Sequence, residues 1–577
     1  MTTTLRDALL LDVVMAMAAH FWFNRNEPKS LVVLLIELSF LTIPSTILMT
    51  PHLESTFQAF MLAFVVFVAA LLGSISLYRL SFVHPLAKYP GPWQCKLSKL
   101  WGASIAWKGK PHVYYKKLHH EYGPIVRIGP NELSIIDADM IPNILGVSGM
   151  PKGPMWEGRR ILPSKNFNQN NSLTSVRDLR RHAELRKPWN AAFKPSFIAD
   201  HEGMLIARAE QFIAKLKELC SPKNAQQTID IALWINYFTF DFMGDLAFGG
   251  VYSLMRDGDT EEVLLKMKRG IFLPSVSQHI PWLLGALRAM PFIGSDARAY
   301  GLFGVEQAKK RAALQDSIKR KDLFYYLLES DEAESKIPAL PKIVSSALLA
   351  IVAGSDTTAS VLANICYFLL REPEYMDSLR AELDKEFPPS DPNETIGIDS
   401  LAQLPFLNAV INETLRLQPP VPTSLQRAPA LGSGGKSLGG SMYISEGTAV
   451  LVSPYVIHRC PRYFSPDPDR FWPGRWLSQD PSVVVDRAAF IPFSTGPANC
   501  PGRLHRHLFQ VPATFLPFDG VLAMVELRYL TCLVIRTFDI SFSRDYDPTL
   551  WEENLVDRFV MLKGELPVNL RIRKAES

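Results

Sequence analysis

A cysteine in a loop rich in glycine and proline constrains this chain more than any other feature. Residues 490–503 place Cys500 between a Gly-Pro pair at 496–497 and a Pro-Gly pair at 501–502. Such a stretch cannot continue as a regular helix or strand, because proline lacks an amide donor and glycine favours other conformations. Several backbone N–H groups are therefore free to point at one sulfur, which a buried thiolate requires. The sequence predicts an anionic cysteine held in a loop, and a buried structural cysteine in a turn is the alternative.

The spacing around this cysteine resembles the haem-binding loop of the cytochrome P450 family, whose pattern is Phe-x-x-Gly-x-Arg-x-Cys-x-Gly. The positions that match it are Phe493, Gly496, Cys500 and Gly502. Ala498 departs from it, because the family usually has an arginine there that contacts a haem propionate. The resemblance implies that Cys500 is the thiolate ligand of the iron of haem b. It also implies that the matching phenylalanine and glycines form the cofactor-binding loop around it.

The overall composition excludes several classes of protein. The chain has 577 residues, of which 47% are hydrophobic and 20% charged, so it can form a large core. Its 61 lysines and arginines nearly balance its 57 aspartates and glutamates, and no basic stripe alternates with aromatic residues, so we expect no nucleic-acid partner. The 6 cysteines show no CxxC spacing, which argues against a zinc site or a disulfide scaffold and fits a reducing compartment.

Residues 1–80 contain apolar segments of the length that crosses a membrane. Residues 57–77 are apolar almost throughout and match the ~20 residues that a transmembrane helix needs. Residues 31–49 and 8–23 are weaker candidates, because both carry charged side chains and the former also contains a proline. We expect residues 1–80 to form a membrane anchor of one to three transmembrane helices, of which 57–77 is the surest.

The distribution of lysine and arginine predicts the orientation of this anchor. Arg25 and Lys29 lie between the first two segments, and Arg79 and Lys88 follow the third, whereas the turn at 50–56 contains no basic residue. Because basic loops stay in the cytosol, the first loop and everything after the third segment are expected to be cytosolic. Together with the resemblance, this predicts attachment to the endoplasmic reticulum membrane with the catalytic domain in the cytosol.

A proline-rich connector follows the anchor, at residues 81–92. Its prolines make it stiff and non-helical, and it resembles the hinge by which membrane-bound cytochromes P450 orient their catalytic domain. Residues 93–577 are then expected to form one haem-thiolate monooxygenase domain. The fold that the resemblance implies is mainly α with small β-sheets.

One stretch of this domain departs from the family pattern. In the family a helix begins almost directly after the cysteine loop, whereas here residues 504–520 intervene and carry two prolines that prevent a continuous helix. Removing 504–520 restores the family spacing. We interpret the stretch as an atypical insertion, which is either the product of an unspliced intron or a misdrawn gene model, or a genuine surface loop that recognises a partner.

A long apolar helix is predicted over residues 341–370, with Ala-Gly-Ser-Asp-Thr-Thr at 353–358 in its middle. These are mostly poor helix formers. Either two helices meet here, the second capped by the serine or aspartate, or one helix opens locally because hydroxyl side chains compete for its carbonyls. The stretch matches a cytochrome P450 motif whose acid and first threonine deliver protons during oxygen activation. The resemblance assigns these roles to Asp356 and Thr357.

A second helix, over residues 406–417, carries Glu413 and Arg416 on one face. By itself this pair is typical of any surface helix. It matches the family's Glu-x-x-Arg motif, and Arg470 lies in a Pro-x-Arg-Phe stretch at 468–471 that resembles the family's meander. The resemblance implies a buried ion triad of Glu413, Arg416 and Arg470.

Further basic residues are candidates for binding the haem propionates. His182 and Arg186 share one face of a helix predicted over 177–193, which resembles the family's Trp-x-x-x-Arg helix with histidine in the tryptophan position. Arg427 follows the Glu-x-x-Arg helix at family-like spacing. Without the resemblance, a solvated basic face would be the simpler interpretation of the helix.

Together the motifs imply an oxidoreductase that inserts one oxygen atom from O2 into a lipophilic small molecule. Electrons would come from NADPH through a separate reductase, because the chain has no flavin or dinucleotide fingerprint. The motifs resemble those of fungal microsomal cytochromes P450, many of which act on terpenoid, polyketide or other secondary metabolites. One alternative is a haem-thiolate isomerase, dehydratase or peroxygenase, which would not need Asp356 and Thr357 as a proton relay. The other is an inactive haem protein spoiled by the insertion.

Overall fold

The protein is described by a computed structural model over most of its length. The ranges are 4–26, 31–159, 173–221, 228–250, 252–283, 290, 295–313, 321–332, 346, 348–388, 396–440, 442–502 and 522–573. The predicted insertion at 504–520 lies outside the described residues.

Long helices make up most of the chain. Those of ten or more residues are α1 (Leu5–Phe23), α2 (Leu31–Leu41), α3 (Thr56–Leu80), α4 (Lys99–Lys108), α5 (Pro111–Tyr122), α6 (Leu179–Ala192), α7 (Pro195–Leu219), α8 (Ile231–Phe248), α9 (Val263–Ser277), α10 (Ser295–Ala313), α11 (Leu323–Glu332), α12 (Thr357–Arg371), α13 (Pro373–Glu386), α14 (Pro405–Leu417) and α15 (Leu522–Thr537). Shorter helices are Ile43–Met49, Trp93–Leu97, Ile141–Ile144, Met155–Gly158, Leu254–Asp257, Ile398–Ala402, Pro454–Ile457 and Thr549–Asn554.

Short strands form several small sheets. The strands are β1 (Ile125–Gly129), β2 (Glu132–Ile135), β3 (Ile229–Asp230), β4 (Leu425–Arg427), β5 (Gly435–Leu438), β6 (Met442–Ser445), β7 (Ala449–Val452), β8 (Phe464–Ser465), β9 (Val484–Val485), β10 (Phe538–Phe542), β11 (Val556–Arg558), β12 (Val560–Leu562) and β13 (Pro567–Ile572). The largest sheet has the order β1-β2-β7-β4, in which β2 and β7 are parallel and the other pairs antiparallel. The mainly α fold with small β-sheets is therefore confirmed.

Helix α12 lies in the core, where α8, α14 and α15 pack around it. The helix continues back through a π-helical turn, Val352–Asp356, to residue 348. Ser355 Oγ donates to the carbonyl of Ile351 at 2.5 Å and Thr357 Oγ1 to that of Ala353 at 2.7 Å, which competes with the normal backbone ladder. The interpretation of one helix with a local opening is confirmed over 348–371, and that of two capped helices is wrong.

The N-terminal helices pack on one another through small side chains. Ala8 of α1 meets Ala59 and Ala63 of α3, so the two backbones approach closely. The outer faces remain apolar and exposed, as Val14 and Phe21 of α1 illustrate. By length and composition, Leu31–His52 and Thr56–Leu80 are candidate membrane spans. A third apolar helix of sufficient length, Leu348–Arg371, is the core helix and is mostly buried in protein.

The connector at 81–92 contains turns and no regular helix or strand. Its end is attached to strand β1, because the amide of Arg127 donates to the carbonyl of Pro90 at 2.7 Å. A Cβ on Gly91 would lie 2.3 Å from the carbonyl oxygen of Arg127, so this close approach requires glycine. The connector therefore joins the N-terminal helices to the edge of the β1-β2-β7-β4 sheet.

Candidate active site

Backbone hydrogen bonds hold the loop that carries Cys500. The amide of Asn499 donates to the carbonyl of Gly496 at 3.1 Å, and the amide of Cys500 donates to that of Phe493 at 3.0 Å. Gly496 has φ of 73°, and a Cβ there would lie 2.1 Å from the carbonyl oxygen of Leu145. Only glycine tolerates both the left-handed conformation and this approach. Cys500 is half-buried at the end of the loop, and Gly502 leaves ordinary van der Waals space beside its sulfur.

Helix α6 is joined to this loop by Arg186. The guanidinium of Arg186 donates to the carbonyl of Asn499 at 2.6 Å and to the side-chain oxygen of Asn499 at 3.0 Å. Asp178 caps the start of α6 by accepting from the amide of Arg181 at 2.7 Å, which sets where the helix begins. The predicted pair His182 and Arg186 is therefore buried against the cysteine loop and is not a solvated basic face.

A cavity of about 420 Å³ lies between α6, the cysteine loop and β4. Its lining includes the basic side chains of Lys152, His182, Arg186 and Arg427 together with the methyl group of Ala498. Burial and the surrounding positive charges lower the pKa of His182 to about 3, and burial lowers that of Arg427 to about 10. Among the described residues none of these four side chains forms a salt bridge with a carboxylate. Their arrangement is suited to a bound anion.

The opened part of the core helix presents a gap in an otherwise buried surface. Of residues 351–369, those that are not buried are Ala353, Gly354 and Thr357. A Cβ on Gly354 would lie 2.4 Å from the sulfur of Met243, so glycine lets α8 pack closely behind the opening. Asp356 is buried, and burial raises its pKa to about 6. Its Oδ2 has no hydrogen-bond partner among the described residues.

Glu413 is the centre of a fully buried ion cluster. Its carboxylate oxygens accept from Arg416 at 2.8 Å and from Arg475 at 2.9 Å. The amide of Trp472 donates to one oxygen at 2.9 Å and the indole of Trp476 donates to the other at 3.0 Å. Burial alone would raise the pKa of Glu413, but the two arginines and these hydrogen bonds outweigh it and hold the pKa below its usual value.

The prediction that Arg470 is the third member of this cluster is wrong. Its side chain is 58% exposed and lies 4.0 Å from Glu374, whereas the side chain of Arg475 is fully buried. Arg470 contributes its backbone instead, because its carbonyl accepts from Arg416 at 3.1 Å. The chain turns between the two arginines, and the short helix Pro473–Trp476 brings the second one inward. The Pro-x-Arg-Phe match therefore selected the wrong arginine. The third member of the cluster is the next arginine in the chain, Arg475, which lies between Gly474 and Trp476.

A buried histidine connects this cluster to the cysteine loop. The amide of Ile491 donates to Nε2 of His458 at 2.9 Å, so the proton of this ring lies on Nδ1, which contacts the carbonyl of Arg416 at 3.2 Å. Burial and the neighbouring Arg416 charge lower the pKa of His458 to about 3, so the ring stays neutral. Sequence reasoning missed His458, because nothing near it in the chain marks its partners.

Replacing either arginine by alanine distinguishes the buried cluster from its surface neighbour. We expect Arg475→Ala to reduce the free energy of unfolding by ~3–5 kcal/mol, since it leaves the buried Glu413 with one charged partner fewer. Arg470→Ala should change the free energy of unfolding by no more than ~0.5 kcal/mol, because its side chain is exposed. Denaturant unfolding of both variants measures the difference. Equal losses of unfolding free energy in the two variants would contradict the assignment of Arg475 to the buried cluster.

Comparison with known proteins agrees with this architecture. The sequence pattern of the family described as Cytochrome P450 matches residues 88–569. Cytochrome P450 67 of Uromyces fabae is 30% identical over 96% of this chain and 97% of its own length. Cytochrome P450 monooxygenase notG' of Aspergillus versicolor is 31% identical, over 88% of this chain and 86% of its own. Tryprostatin B 6-hydroxylase of Aspergillus fumigatus is 30% identical, over 88% of this chain and 84% of its own. The chain belongs to the cytochrome P450 family.

Within that family the protein is of the fungal type, since the relatives named above come from fungi. It is an oxidoreductase and has the role of a monooxygenase, as the resemblance predicted. The family holds haem iron through a cysteine thiolate. The described residues fit that cofactor: they include a looped cysteine, an opened core helix, and a cavity beside the cysteine loop whose buried cations form no salt bridge with a described carboxylate.

Proposed function

We propose that this protein is a membrane-anchored haem-thiolate monooxygenase that inserts one oxygen atom from O2 into a lipophilic small molecule of fungal secondary metabolism. The observation that carries the proposal is that Asn499, directly before Cys500, lines the basic cavity in a chain that belongs to the cytochrome P450 family. The relatives notG' and tryprostatin B 6-hydroxylase support the monooxygenase class. The substrate itself is proposed only by its class.

The cysteine loop and the basic cavity would hold the haem from two sides. Cys500 would hold the haem iron through its thiolate, and Phe493, Gly496 and Gly502 would shape the loop around it. His182, Arg186 and Arg427 would bind the propionates, because the buried positive charges of this cavity suit an anion. When bound, the haem supplies the activation of dioxygen, while the protein supplies binding, orientation and electrostatics.

Asp356 and Thr357 would move protons at the opening of the core helix. A pKa of about 6 lets Asp356 take up and release a proton near neutral pH, which is what a relay requires. The hydroxyl of Thr357 is tethered to the carbonyl of Ala353 at 2.7 Å on the half-exposed face of the helix. From there the hydroxyl would pass a proton into the opening of the helix, whereas the carboxyl group of Asp356 stays buried.

Removing the hydroxyl of Thr357 tests this function. We expect Thr357→Ala to keep haem binding and stability, because the hydroxyl bonds only to a carbonyl of its own helix. Product formed per NADPH should fall by about tenfold or more, since positioned proton transfer contributes on that scale or above, and the remaining NADPH should be consumed to make peroxide. Product and peroxide are measured together in reconstituted enzyme.

Thr357→Ser is the matched control, because it keeps the hydroxyl and should retain most of the coupling. An unchanged product yield in Thr357→Ala would contradict the relay. Turnover of wild-type protein without NADPH would favour the isomerase, dehydratase or peroxygenase alternative over monooxygenation.

The finer statements on partners and location are also proposals. We infer that electrons come from NADPH through a separate reductase, and that the anchor lies in the endoplasmic reticulum membrane with the catalytic domain in the cytosol. Arg25 and Lys29, between the first two segments, and Arg79 and Lys88, after the third, support this orientation. Digestion of intact microsomes with protease measures it, since a cytosolic domain is degraded without detergent and a lumenal one is protected.

A further inference from the structure

Helix α1 runs in the same direction as α3 and packs along it. Near the start of α1, Ala8 packs against Ala59 and Ala63, which lie near the start of α3. Near the end of α1, Nδ1 of His20 is hydrogen-bonded to Oγ of Ser74, at 2.8 Å, and Ser74 lies near the end of α3. The buried side chains between these two contacts pack in the same order. The two helices are therefore parallel and stay together over most of the length of α1.

The chain between α1 and α3 returns in the opposite direction. Leu38 of α2 packs with the second half of α1, whereas Met49, at the end of the short helix Ile43–Met49, packs with Ala8. The three segments therefore form a bundle in which the chain runs up, down and up again. Because α3 and the returning segment are candidate membrane spans by composition, α1 lies beside two spans and is parallel to one of them.

The charged side chains of α1 make its composition unlike that of a membrane span, but the structure keeps them away from a lipid-facing position. Arg6 and Asp7 lie in the first turn, where a span reaches the membrane surface. Asp12, near the middle, is fully buried at 0% exposure, and the short helix that packs on α1 contributes the equally buried Ser45. Ionisable residues of membrane helices face the interior of the bundle in this way.

The outer face of α1 is apolar and exposed. Leu10, Val14, Met17 and Phe21 recur at helical spacing on this face, and each side chain is between 54% and 65% exposed. The helix has 19 residues and is ~28 Å long at ~1.5 Å per residue, which is close to the ~30 Å of a membrane's hydrocarbon core. An apolar face of this length, beside an exposed apolar surface on α3, fits the acyl chains of lipids.

The catalytic domain adjoins the end of the bundle at which α1 finishes. The ring of Tyr78 lies 5.5 Å from that of His20 and 5.1 Å from that of His84 in the connector. The next residue, Arg79, donates from Nη1 to the carbonyl of Leu97 at 2.7 Å. The start of α1 therefore lies at the end of the bundle that is remote from the catalytic domain.

We propose that α1 is a third membrane-spanning helix whose outer face contacts lipid acyl chains, so that the N-terminus lies on the opposite side of the membrane from the catalytic domain. The inference rests on the proposed membrane anchor and sets the number of its spans at three. A helix lying flat on the membrane surface would cross α3 at a steep angle. It could not contact α3 both at Ala59 and at Ser74, which are about 22 Å apart along the axis of α3.

Glycosylation of inserted tags tests this topology on the full-length protein in microsomes. A tag with an Asn-x-Ser/Thr sequon and a flexible spacer is added before Met1 in one variant and inserted after Asn26 in another. We expect the first tag to be glycosylated and the second to stay unmodified, because only the first lies in the lumen. A tag inserted after Glu54 should be glycosylated whenever α3 crosses the membrane. The N-terminal tag with glutamine in place of its asparagine is the control for the mobility shift.

Val14→Arg tests the lipid-facing surface, with Val14→Leu as the matched control. In the protein with the N-terminal tag, the arginine would face acyl chains near the middle of the span, so the glycosylated fraction should fall severalfold. The leucine variant should be glycosylated as completely as wild type. Equal glycosylation of the two variants would contradict the contact with lipid.

The outcomes separate this inference from the proposed function. If the N-terminal tag stays unmodified while the tag after Glu54 is glycosylated, α1 lies on the cytosolic side and the third span is wrong. If the tag after Asn26 is glycosylated, only α3 crosses the membrane and the third span is equally wrong. If no tag is modified, the proposed location is wrong as well. In each case the monooxygenase proposal stands as long as the reduced carbon monoxide complex shows thiolate absorption, and it fails on the loss of that absorption whatever the tags report.

Discussion

Replacing Cys500 by alanine is expected to abolish the thiolate-type absorption of the reduced carbon monoxide complex entirely. The other cysteines are poor candidates for an axial thiolate. Burial raises the pKa of Cys366 and Cys532 to about 12, so both remain protonated thiols in the core. Cys500 alone combines a glycine- and proline-rich loop with a position next to the basic cavity, and Arg186, which bonds to the adjacent Asn499, adds a positive charge near its sulfur.

The control for this experiment is Cys460→Ala. That cysteine is also half-buried, but it lies after the short helix Pro454–Ile457, away from the cysteine loop in the chain. Its replacement should leave the spectrum unchanged. Thiolate absorption that persists in Cys500→Ala would refute the ligand assignment.

Deleting residues 504–520 is expected to leave a folded protein with a full thiolate spectrum. The described ends of this stretch already meet, since the amide of Leu522 donates to the carbonyl of Gly502 at 3.2 Å. In the shortened chain Leu522 would be the third residue after Gly502, so this bond would become that of a tight turn leading into α15. The deletion therefore needs no rearrangement of the helix that follows.

The shortened protein should also be more stable. Closing a loop of this length costs about 2–3 kcal/mol of chain entropy, which the deletion removes. The difference in unfolding free energy between the shortened and full-length proteins is measured by following the loss of the thiolate spectrum during unfolding.

Sequencing the transcript decides between the two origins of this stretch. A mature transcript without codons 504–520 would show an unspliced intron or a misdrawn gene model. If the transcript contains them and the full-length protein turns over normally while the deletion does not, the stretch is a genuine surface loop. In that case it becomes a candidate for partner recognition.

The sequence by itself determined the parts of this protein that depend on neighbouring residues. The sequence of residues 406–417 predicted the helix α14, because the signals that form a helix act over a few residues. The π-helical turn follows from hydroxyl side chains that bond to carbonyls within one turn of their own helix. The cysteine loop likewise follows from its own glycines and prolines, as the φ of Gly496 illustrates.

Only the tertiary structure decided which distant residues meet. Glu413 selects Arg475 over Arg470 because the chain turns between them, and no pattern within the meander encodes which side chain points inward. Lys152 meets Arg427 across a bridge that joins segments far apart in sequence. Such contacts depend on how separate elements dock, and the free energy that selects them comes from burial and charge pairing in the assembled core.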